Sequence, residues 1–348
     1  MQSNIPIRNI YYMLAYTYQT LQFREYQELS TEEFDDVTEL YTAILIVGIP
    51  VLLRGGLLRD YMPVQEQSQV LRGKIDISGS IKQNALIKKR LVVTYDEFSE
   101  DILENQLIKA TLLSLLQSAR VKKEQKQVLY GFLPYFSQIS DLSLDIHCWQ
   151  NLHVTQQNQR YQFILAICHY LYEEHLLAEM GDTRQRQVED ERQMSALYEH
   201  FVRAFYKKET SYHVSSPHIH WLVDDDYSEA LPLMKTDVVL KANQQTLIID
   251  TKFYQENMVT SYRSQQVKQQ SNNLYQLFSY VMNYPAQSEE SVGGVLLYAK
   301  TKAITQPHHR YTMMGKQLWV MALDLDQPFE EIKAQLLALP KCFFKYPQ

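Results

Sequence analysis

The feature that most constrains the fold is segment 235–254, which reads as two short strands joined by a polar turn. Residues 238–240 form a short apolar strand, and Thr246 to Phe253 form a second strand that is rich in β-branched residues. The polar turn between them predicts a hairpin that closes symmetrically about Asn243-Gln244.

In that register, Asp237 and Asp250 face each other across the hairpin. Directly opposed like charges destabilise a sheet by roughly 0.2–1 kcal/mol, and a cation between the two carboxylates would remove that cost. Lys252 lies two residues beyond Asp250 and therefore points to the same face. Two carboxylates and one ammonium group on one face predict a site for a hard divalent cation and an activated water.

The bland alternative is a pair of solvated carboxylates, because an Asp-x-Lys triplet is common. Two features favour the metal site. Asp250 directly follows the apolar residues 247–249, so it is expected at the mouth of a buried strand rather than on an open face. The helix predicted over 265–283 carries Gln276 and Tyr280 four residues apart, on one face and off its apolar stripe.

Composition excludes several classes of protein. The chain has 348 residues and a net charge of -6, which argues against binding nucleic acid by bulk electrostatics. Its three cysteines lie far apart and predict neither a disulfide framework nor a zinc cluster. No apolar run reaches the ~18 residues of a membrane span. The first residues lack the features of a signal peptide, so a cytoplasmic protein is expected.

No G-x-x-x-x-G-K-[ST] sequence occurs in the chain, so it is not expected to bind GTP or ATP by itself.

Two domains are predicted, with the boundary in the polar stretch 155–161. Residues 1–155 read as helices plus a β-rich, glycine-broken stretch at 51–95. The expected helices include one that begins at a capping box, 30–33, and stops before Pro50. Residues 156–348 read as helices, the hairpin, a further helix and two strands, which predicts an α/β or α+β sheet covered by helices.

These patterns resemble known families. Two aspartates and Asp-x-Lys on a hairpin, followed by a helix with Gln-x-x-x-Tyr, resemble the PD-(D/E)xK nuclease superfamily in its RecB-like branch. Three further strings resemble the McrC family of nuclease subunits of modification-dependent restriction systems. They are residues 5–14 (IPIRNIYYML), the Gly73-Lys74-Ile75 turn and residues 293–298 (GGVLLY).

The resemblance implies a restriction-endonuclease-like fold for the second domain and roles for its residues. Asp237, Asp250 and the backbone carbonyl of Thr251 would bind Mg²⁺, and Lys252 would orient or deprotonate the attacking water. Gln276 and Tyr280 would support these groups or contact phosphate. Many relatives add a helix-borne glutamate near the metal, for which Glu199 is the candidate here. Thr236 stands where the superfamily pattern has proline.

The resemblance also implies a partner. Proteins of the McrC family act with McrB, an AAA+ GTPase ring that binds the GTP and recognises DNA containing modified cytosine. Residues 1–155 would then dock on the ring, with a protruding hairpin stalk at 51–95 that enters its pore and stimulates GTP hydrolysis. Its basic run, Arg72 to Arg90, is either a solvated face or a surface that contacts phosphate or docks on a partner.

Two other functions stay open from the sequence. One is a stand-alone RecB-like repair nuclease, which would cut DNA without a partner or nucleotide. The other is a non-catalytic activator of an AAA+ partner, in which the hairpin carboxylates are only structural.

Overall fold

The computed structural model describes residues 5–20, 23–26, 28–31, 33–150, 152, 158–179, 183–225, 227–254, 258–260, 267–286 and 290–344. The chain divides into two compact units, one formed by Asp35–Leu176 and the other by Met1–Phe34 with Leu177–Gln348. This division differs from the predicted boundary at 155/156, and the predicted linker at 155–161 lies partly outside the described residues.

The helices are α1 (Ile7–Thr17), α2 (Val37–Gly55), α3 (Ile77–Lys82), α4 (Leu103–Gln117), α5 (Lys123–Phe132), α6 (Ile146–Gln150), α7 (Gln159–Glu179), α8 (Thr183–Glu209), α9 (Ser271–Asn283) and α10 (Phe329–Phe343). The strands are β1 (Asp60–Ser68), β2 (Lys74–Asp76), β3 (Leu91–Ser99), β4 (His213–Ser215), β5 (His218–Ile219), β6 (Met234–Lys235), β7 (Val238–Ala242), β8 (Gln245–Lys252), β9 (Met258–Thr260), β10 (Val267–Gln269), β11 (Ser291–Ala299), β12 (His308–Met313) and β13 (Lys316–Leu323).

Helix α2 begins later and ends later than its sequence predicts. Its N-cap is Asp36, whose carboxylate accepts a hydrogen bond from the backbone N–H of Glu39 at 2.8 Å. The capping box expected at 30–33 does not start this helix, because Asp36 satisfies the free N–H of its first turn. Pro50 lies inside the helix, which continues until Gly56 adopts a φ of 82°.

The helix survives Pro50 because the turn beyond it is apolar and buried, with Val51 8% and Leu52 5% exposed. That burial offsets the backbone hydrogen bond that proline removes. By length and composition α2 is apolar enough to cross a membrane, but 72% of the apolar stretch is buried within the protein. This degree of burial is typical of a helix in the core of a protein.

In the unit Asp35–Leu176, strands β1, β3 and β2 form a three-stranded antiparallel sheet in that order. Strands β1 and β3 pair along their whole length, from Asp60 opposite Ser99 to Ser68 opposite Leu91. The β-rich stretch predicted at 51–95 therefore spans 60–99, because residues 51–55 belong to α2. Residues 60–99 are called the β1–β3–β2 module below.

The second unit is built on a six-stranded sheet with the order β12-β13-β11-β8-β7-β4. Strand β11 runs parallel to both β8 and β13, whereas the other pairs are antiparallel. The predicted mixed sheet with helices is confirmed. Strand β12 pairs with β13 as an antiparallel hairpin, with His308 opposite Met321.

Helix α9 covers one face of this sheet. Leu277 and Val281 pack with Ile248 of β8 and Leu296 of β11 in the core. The helix begins at Ser271 rather than near 265, because Val267–Gln269 pairs with Met258–Thr260 as a strand.

The N-terminal helix α1 belongs to this unit through side-chain contacts. The hydroxyl of Tyr16 donates to Glu209 Oε1 of α8 at 2.8 Å, and its ring contacts Phe201 and Phe205. The amide of Asn9 donates to the backbone carbonyls of Leu325 and Gln327, both at 2.8 Å. These contacts join residues far apart in sequence, so local patterns could not place α1 there.

Two adjacent glycines in β11 allow helices to approach its two faces. A Cβ atom on Gly293 would lie 2.5 Å from the Phe343 ring of α10 and 2.8 Å from the Gln317 carbonyl oxygen. A Cβ atom on Gly294 would lie 2.6 Å from Leu277 of α9. Successive residues of a strand point to opposite faces, so each glycine admits one helix.

We expect Gly293→Ala to lower the free energy of unfolding by about 1–3 kcal/mol, because the new methyl group overpacks a rigid neighbourhood. The measurement is the urea denaturation midpoint at unchanged m-value. The matched control is Gly131→Ala in α5, where nothing lies within 4 Å of the new methyl group. That change should be neutral or stabilise by up to about 1 kcal/mol. Equal effects of the two substitutions would contradict the packing argument.

Candidate functional site

The site lies where the β7–β8 hairpin opens. The two strands are joined by the two-residue turn Asn243-Gln244, in which Asn243 takes a left-handed φ of 53°. The observed pairing is the predicted one, ending with Val238 opposite Ile249. One residue further along that register, Asp237 and Asp250 lie across from each other at the end of the ladder.

Asp250 is the electrostatic centre of this arrangement. It has no exposed surface, and neither of its carboxylate oxygens has a hydrogen-bond partner among the described residues. Burial raises its pKa from 3.8 to about 7, against the charge of Lys252, which lowers it, and with that of Asp237, which raises it. A carboxylate in such surroundings is stable as an anion only when a cation compensates it.

Lys252 supplies the nearest positive charge. Its Nζ lies 2.8 Å from Asp250 Oδ2, which makes a close ion pair. Burial is the largest influence and lowers the pKa of the ammonium group, but the Asp250 and Asp237 carboxylates together with Tyr254 more than offset it, so the net pKa is raised. Lys252 therefore stays protonated as long as it faces the ionised Asp250.

Asp237 is held by the residue that follows Asp250. Its Oδ2 accepts hydrogen bonds from the backbone N–H of Thr251 at 2.7 Å and from the Thr251 hydroxyl at 2.8 Å. Asp237 is half-buried, so part of its carboxylate faces the open side of the site. The backbone of Thr251 is thereby fixed next to both carboxylates.

A chain of hydrogen bonds ties Lys252 to helix α9. The Lys252 ammonium donates to Gln276 Oε1 at 3.0 Å, and Gln276 Nε2 contacts the Tyr280 hydroxyl at 2.6 Å. The Tyr280 hydroxyl in turn donates to the backbone carbonyl of Lys235 at 2.9 Å. The direction of these bonds fixes the Gln276 amide, with its oxygen toward Lys252 and its nitrogen toward Tyr280.

Glu199 of α8 lies close enough for its charge to act on the site, but it is engaged elsewhere. Burial is the largest cause that raises the pKa of Glu199, and the charge of Asp237 raises it further. Its Oε1 lies 3.3 Å from Arg203 Nη2, one helical turn along. Among the described residues, no three His, Cys, Asp or Glu side chains form a group that could hold a metal ion. Glu199 is therefore not drawn into one cluster with the two aspartates.

Thr236 anchors the segment that leads to Asp237. It is fully buried, and its hydroxyl and backbone N–H both point to the carbonyl of Pro217, at 2.7 Å and 3.4 Å. Its own carbonyl accepts from the Ser216 hydroxyl at 2.5 Å. Proline at position 236 has no N–H or hydroxyl, so this chain uses hydrogen bonds where the resembled pattern has a ring. Sequence patterns give no signal for this contact.

Comparisons with known proteins agree on one family. A family model described as McrBC 5-methylcytosine restriction system component matches residues 3–299. A protein of Escherichia coli (strain K12), described as type IV methyl-directed restriction enzyme EcoKMcrBC, is 30% identical over 345 residues. The match covers 97% of each protein.

Two solved structures are more distant. One is a half-complex from a tetradecameric assembly of Thermococcus gammatolerans McrB AAA+ hexamers with bound McrC. It matches with a TM-score of 0.47 and 18% identity, over 97% of this chain and 76% of that chain. The other, a cryo-EM structure of the Thermococcus gammatolerans McrBC complex, matches with a TM-score of 0.36 and 20% identity, over 48% and 52%. On the family model and the E. coli relative, the chain belongs to the McrBC 5-methylcytosine restriction system components.

Proposed function

We propose that this chain is the DNA endonuclease subunit of a GTP-dependent restriction complex directed at methylated cytosine. The observation that carries the proposal is Asp250, a buried carboxylate whose oxygens lack hydrogen-bond partners among the described residues, beside Asp237 and Lys252. A purely structural aspartate at this depth would be expected to accept further hydrogen bonds beside its ion pair with Lys252. An aspartate that binds a cation needs carboxylate oxygens that are available as ligands.

The residues present fit Mg²⁺. Mg²⁺ prefers oxygen ligands and keeps several waters, so few protein ligands suffice. Asp237, Asp250 and the backbone carbonyl of Thr251 would hold it, and Glu199 is a further candidate that would have to leave Arg203. When bound, the ion would lower the pKa of the attacking water and stabilise the charge that develops on the phosphoryl group.

The remaining side chains of the site would orient the attacking water and balance its charge. The Lys252 ammonium, held between Asp250 and Gln276, would orient the attacking water and neutralise charge on the phosphate oxygens. Because Gln276 and Tyr280 fix the direction of that ammonium group, they would act through Lys252 rather than on the reacting atoms.

The β1–β3–β2 module is proposed as the surface that docks on an AAA+ GTPase partner. It exposes an unusual number of large apolar side chains for a surface sheet: Tyr61, Met62, Val70, Leu71, Ile75, Ile77, Ile81, Leu86, Ile87 and Phe98. Ile87 is 81% exposed and Ile77 67%. Exposed apolar patches of this kind mark interaction sites. The partner would supply GTP binding and recognition of the modified base, in the cytoplasm.

The carboxylate role predicts a loss of cleavage. In the complex reconstituted with the partner, Asp250→Ala should reduce cleavage of methylated duplex DNA at least about 100-fold, the scale of losing a charge-stabilising group. The partner's GTP hydrolysis should persist. The assay varies GTP and Mg²⁺ separately and compares methylated with unmethylated DNA.

The control for this experiment is Asp326→Ala, which changes an exposed carboxylate remote from the hairpin in sequence. It should cleave as the wild type does. Full cleavage by Asp250→Ala would favour a non-catalytic activator, and cleavage by the chain without partner or GTP would favour a stand-alone repair nuclease.

The pKa of Asp250 predicts a pH-dependent stability in metal-free buffer. Its folded pKa is about 7 and its ordinary value 3.8, so the folded state binds more protons than the unfolded state between these pH values. Stability should therefore fall as the pH rises from about 4 to about 7. Asp250→Asn removes this loss and should be more stable than the wild type above pH 7, by at least about 1 kcal/mol.

The readout is the difference in unfolding free energy between Asp250→Asn and the wild type across this range, with a chelator present. The difference should shrink toward pH 4, where the carboxyl group is protonated in the folded state and about half ionised in the unfolded state. A difference that does not change with pH would show that the buried charge costs the fold nothing.

The docking surface predicts a separate phenotype. Replacing Ile77 and Ile87 together by aspartate should reduce stimulation of the partner's GTPase at least about 10-fold, because the change places charge in an apolar interface. Ile304→Asp is the control, since Ile304 is fully exposed in the other unit. Stimulation that survives the double substitution would remove the module as the docking surface.

A further inference from the structure

Lys235 is a cation that the expected site residues do not include. Burial alternates along the segment that leads into β7, with Met234, Thr236 and Val238 buried, Lys235 exposed and Asp237 half-buried. The side of this segment that is open to solvent therefore carries Lys235 and part of Asp237. The charges of both residues act on Glu199 and His200 of α8, so both lie near the same stretch of that helix.

The backbone of Lys235 is fixed relative to the rest of the site. Its carbonyl accepts the Tyr280 hydroxyl at 2.9 Å, and its N- and C-terminal neighbours are buried. Strand β6, which contains Lys235, also pairs with β5. The side chain is flexible, but it starts from a fixed point two residues before Asp237.

Two other cations near the hairpin, Arg203 and Lys252, are already paired. Arg203 contacts Glu199 at 3.3 Å and Lys252 contacts Asp250 at 2.8 Å. Lys235 takes part in no ion pair among the described residues. Its charge nevertheless acts on two neighbouring residues of α8, stabilising the anion of Glu199 and opposing protonation of His200. Lys235 is thus an unpaired positive charge next to a group of carboxylates.

The electrostatic setting makes such a charge useful. The chain carries a net charge of -6, and Asp237, Asp250 and Glu199 all repel an approaching phosphate. A bound cation would neutralise the reacting phosphate, but the neighbouring phosphates of the same strand would still meet carboxylates. A lysine at the edge of the site offers one of these phosphates a solvent-exposed positive charge.

We propose that Lys235 binds a backbone phosphate of DNA adjacent to the one that is cleaved, and so holds the strand in register over Asp237 and Asp250. The proposal rests on the proposed nuclease function. It makes Lys235 a binding residue rather than a group that takes part in the bond-breaking step. Its loss should weaken DNA binding without removing the reacting groups.

The test compares the full chain with three variants, Lys235→Ala, Lys235→Arg and Lys341→Ala, for binding of a short DNA duplex. Fluorescence anisotropy is measured with a chelator present and salt varied from low to physiological concentration. Lys341 is the control because it is exposed and lies on α10, toward the other end of β11 from the site. Phe343 of α10 packs on Gly293 near the start of β11, whereas Lys252 lies opposite Tyr298 near the end of that strand.

Lys235→Ala should bind about 10-fold more weakly at low salt. The magnitude of the negative slope of log K against log [salt] should decrease by about 0.9, which corresponds to the loss of one phosphate contact. Lys235→Arg should keep both values near those of the wild type, as should Lys341→Ala. In the reconstituted complex with Mg²⁺, Lys235→Ala should raise KM and leave kcat unchanged.

Unchanged binding and salt slope in Lys235→Ala would overturn the proposal, as would the absence of measurable duplex binding by the wild type at low salt. Weaker association of Lys235→Ala with the AAA+ partner, with DNA binding intact, would assign the lysine to a protein contact instead. Failure of the nuclease proposal would appear differently, as wild-type protein that binds DNA but does not cut it in the complex.

Discussion

The buried carboxylate of Asp250 is the constraint on which the second unit depends. It lies near the end of β8, the strand that pairs with β7 on one side and with β11 on the other, so its surroundings are fixed by the sheet. Burial disfavours its charge, and Lys252 compensates only in part. The hydrogen bonds from Lys252 through Gln276 to Tyr280 then fix the compensating charge, and α9 is held to the sheet by the same residues.

Local patterns were sufficient to predict the hairpin. Apolar and β-branched runs around Asn243-Gln244 defined both strands, and the observed register followed from their symmetry about the turn. The helix with Gln276 and Tyr280 was also correct in kind, although its start was placed too early. These elements are set by nearest neighbours in sequence, which is why they could be predicted.

Long-range packing decided the rest. Helix α2 continues through Pro50 because its apolar second half is buried, and α1 joins the C-terminal unit because Tyr16 reaches Glu209. In the site, sequence reasoning grouped Asp237, Asp250 and Lys252, and the structure brings them together. Sequence reasoning had no means of finding the role proposed for Lys235, because this residue is fixed at the site by a hydrogen bond from the Tyr280 hydroxyl to its backbone carbonyl. No side-chain pattern records such a contact.

Thr236 has a consequence for how the approach to the site responds to force. A proline ring restricts φ covalently, so its effect on the chain stays within one residue. Here the same position is held by the carbonyl of Pro217 and the hydroxyl of Ser216, about twenty residues earlier in sequence. Any macromolecule that displaces the 216–217 segment therefore also releases the backbone next to Asp237. The aspartate is mechanically connected to a segment outside its own hairpin, so a displacement there can change the spacing of the carboxylates without touching either of them.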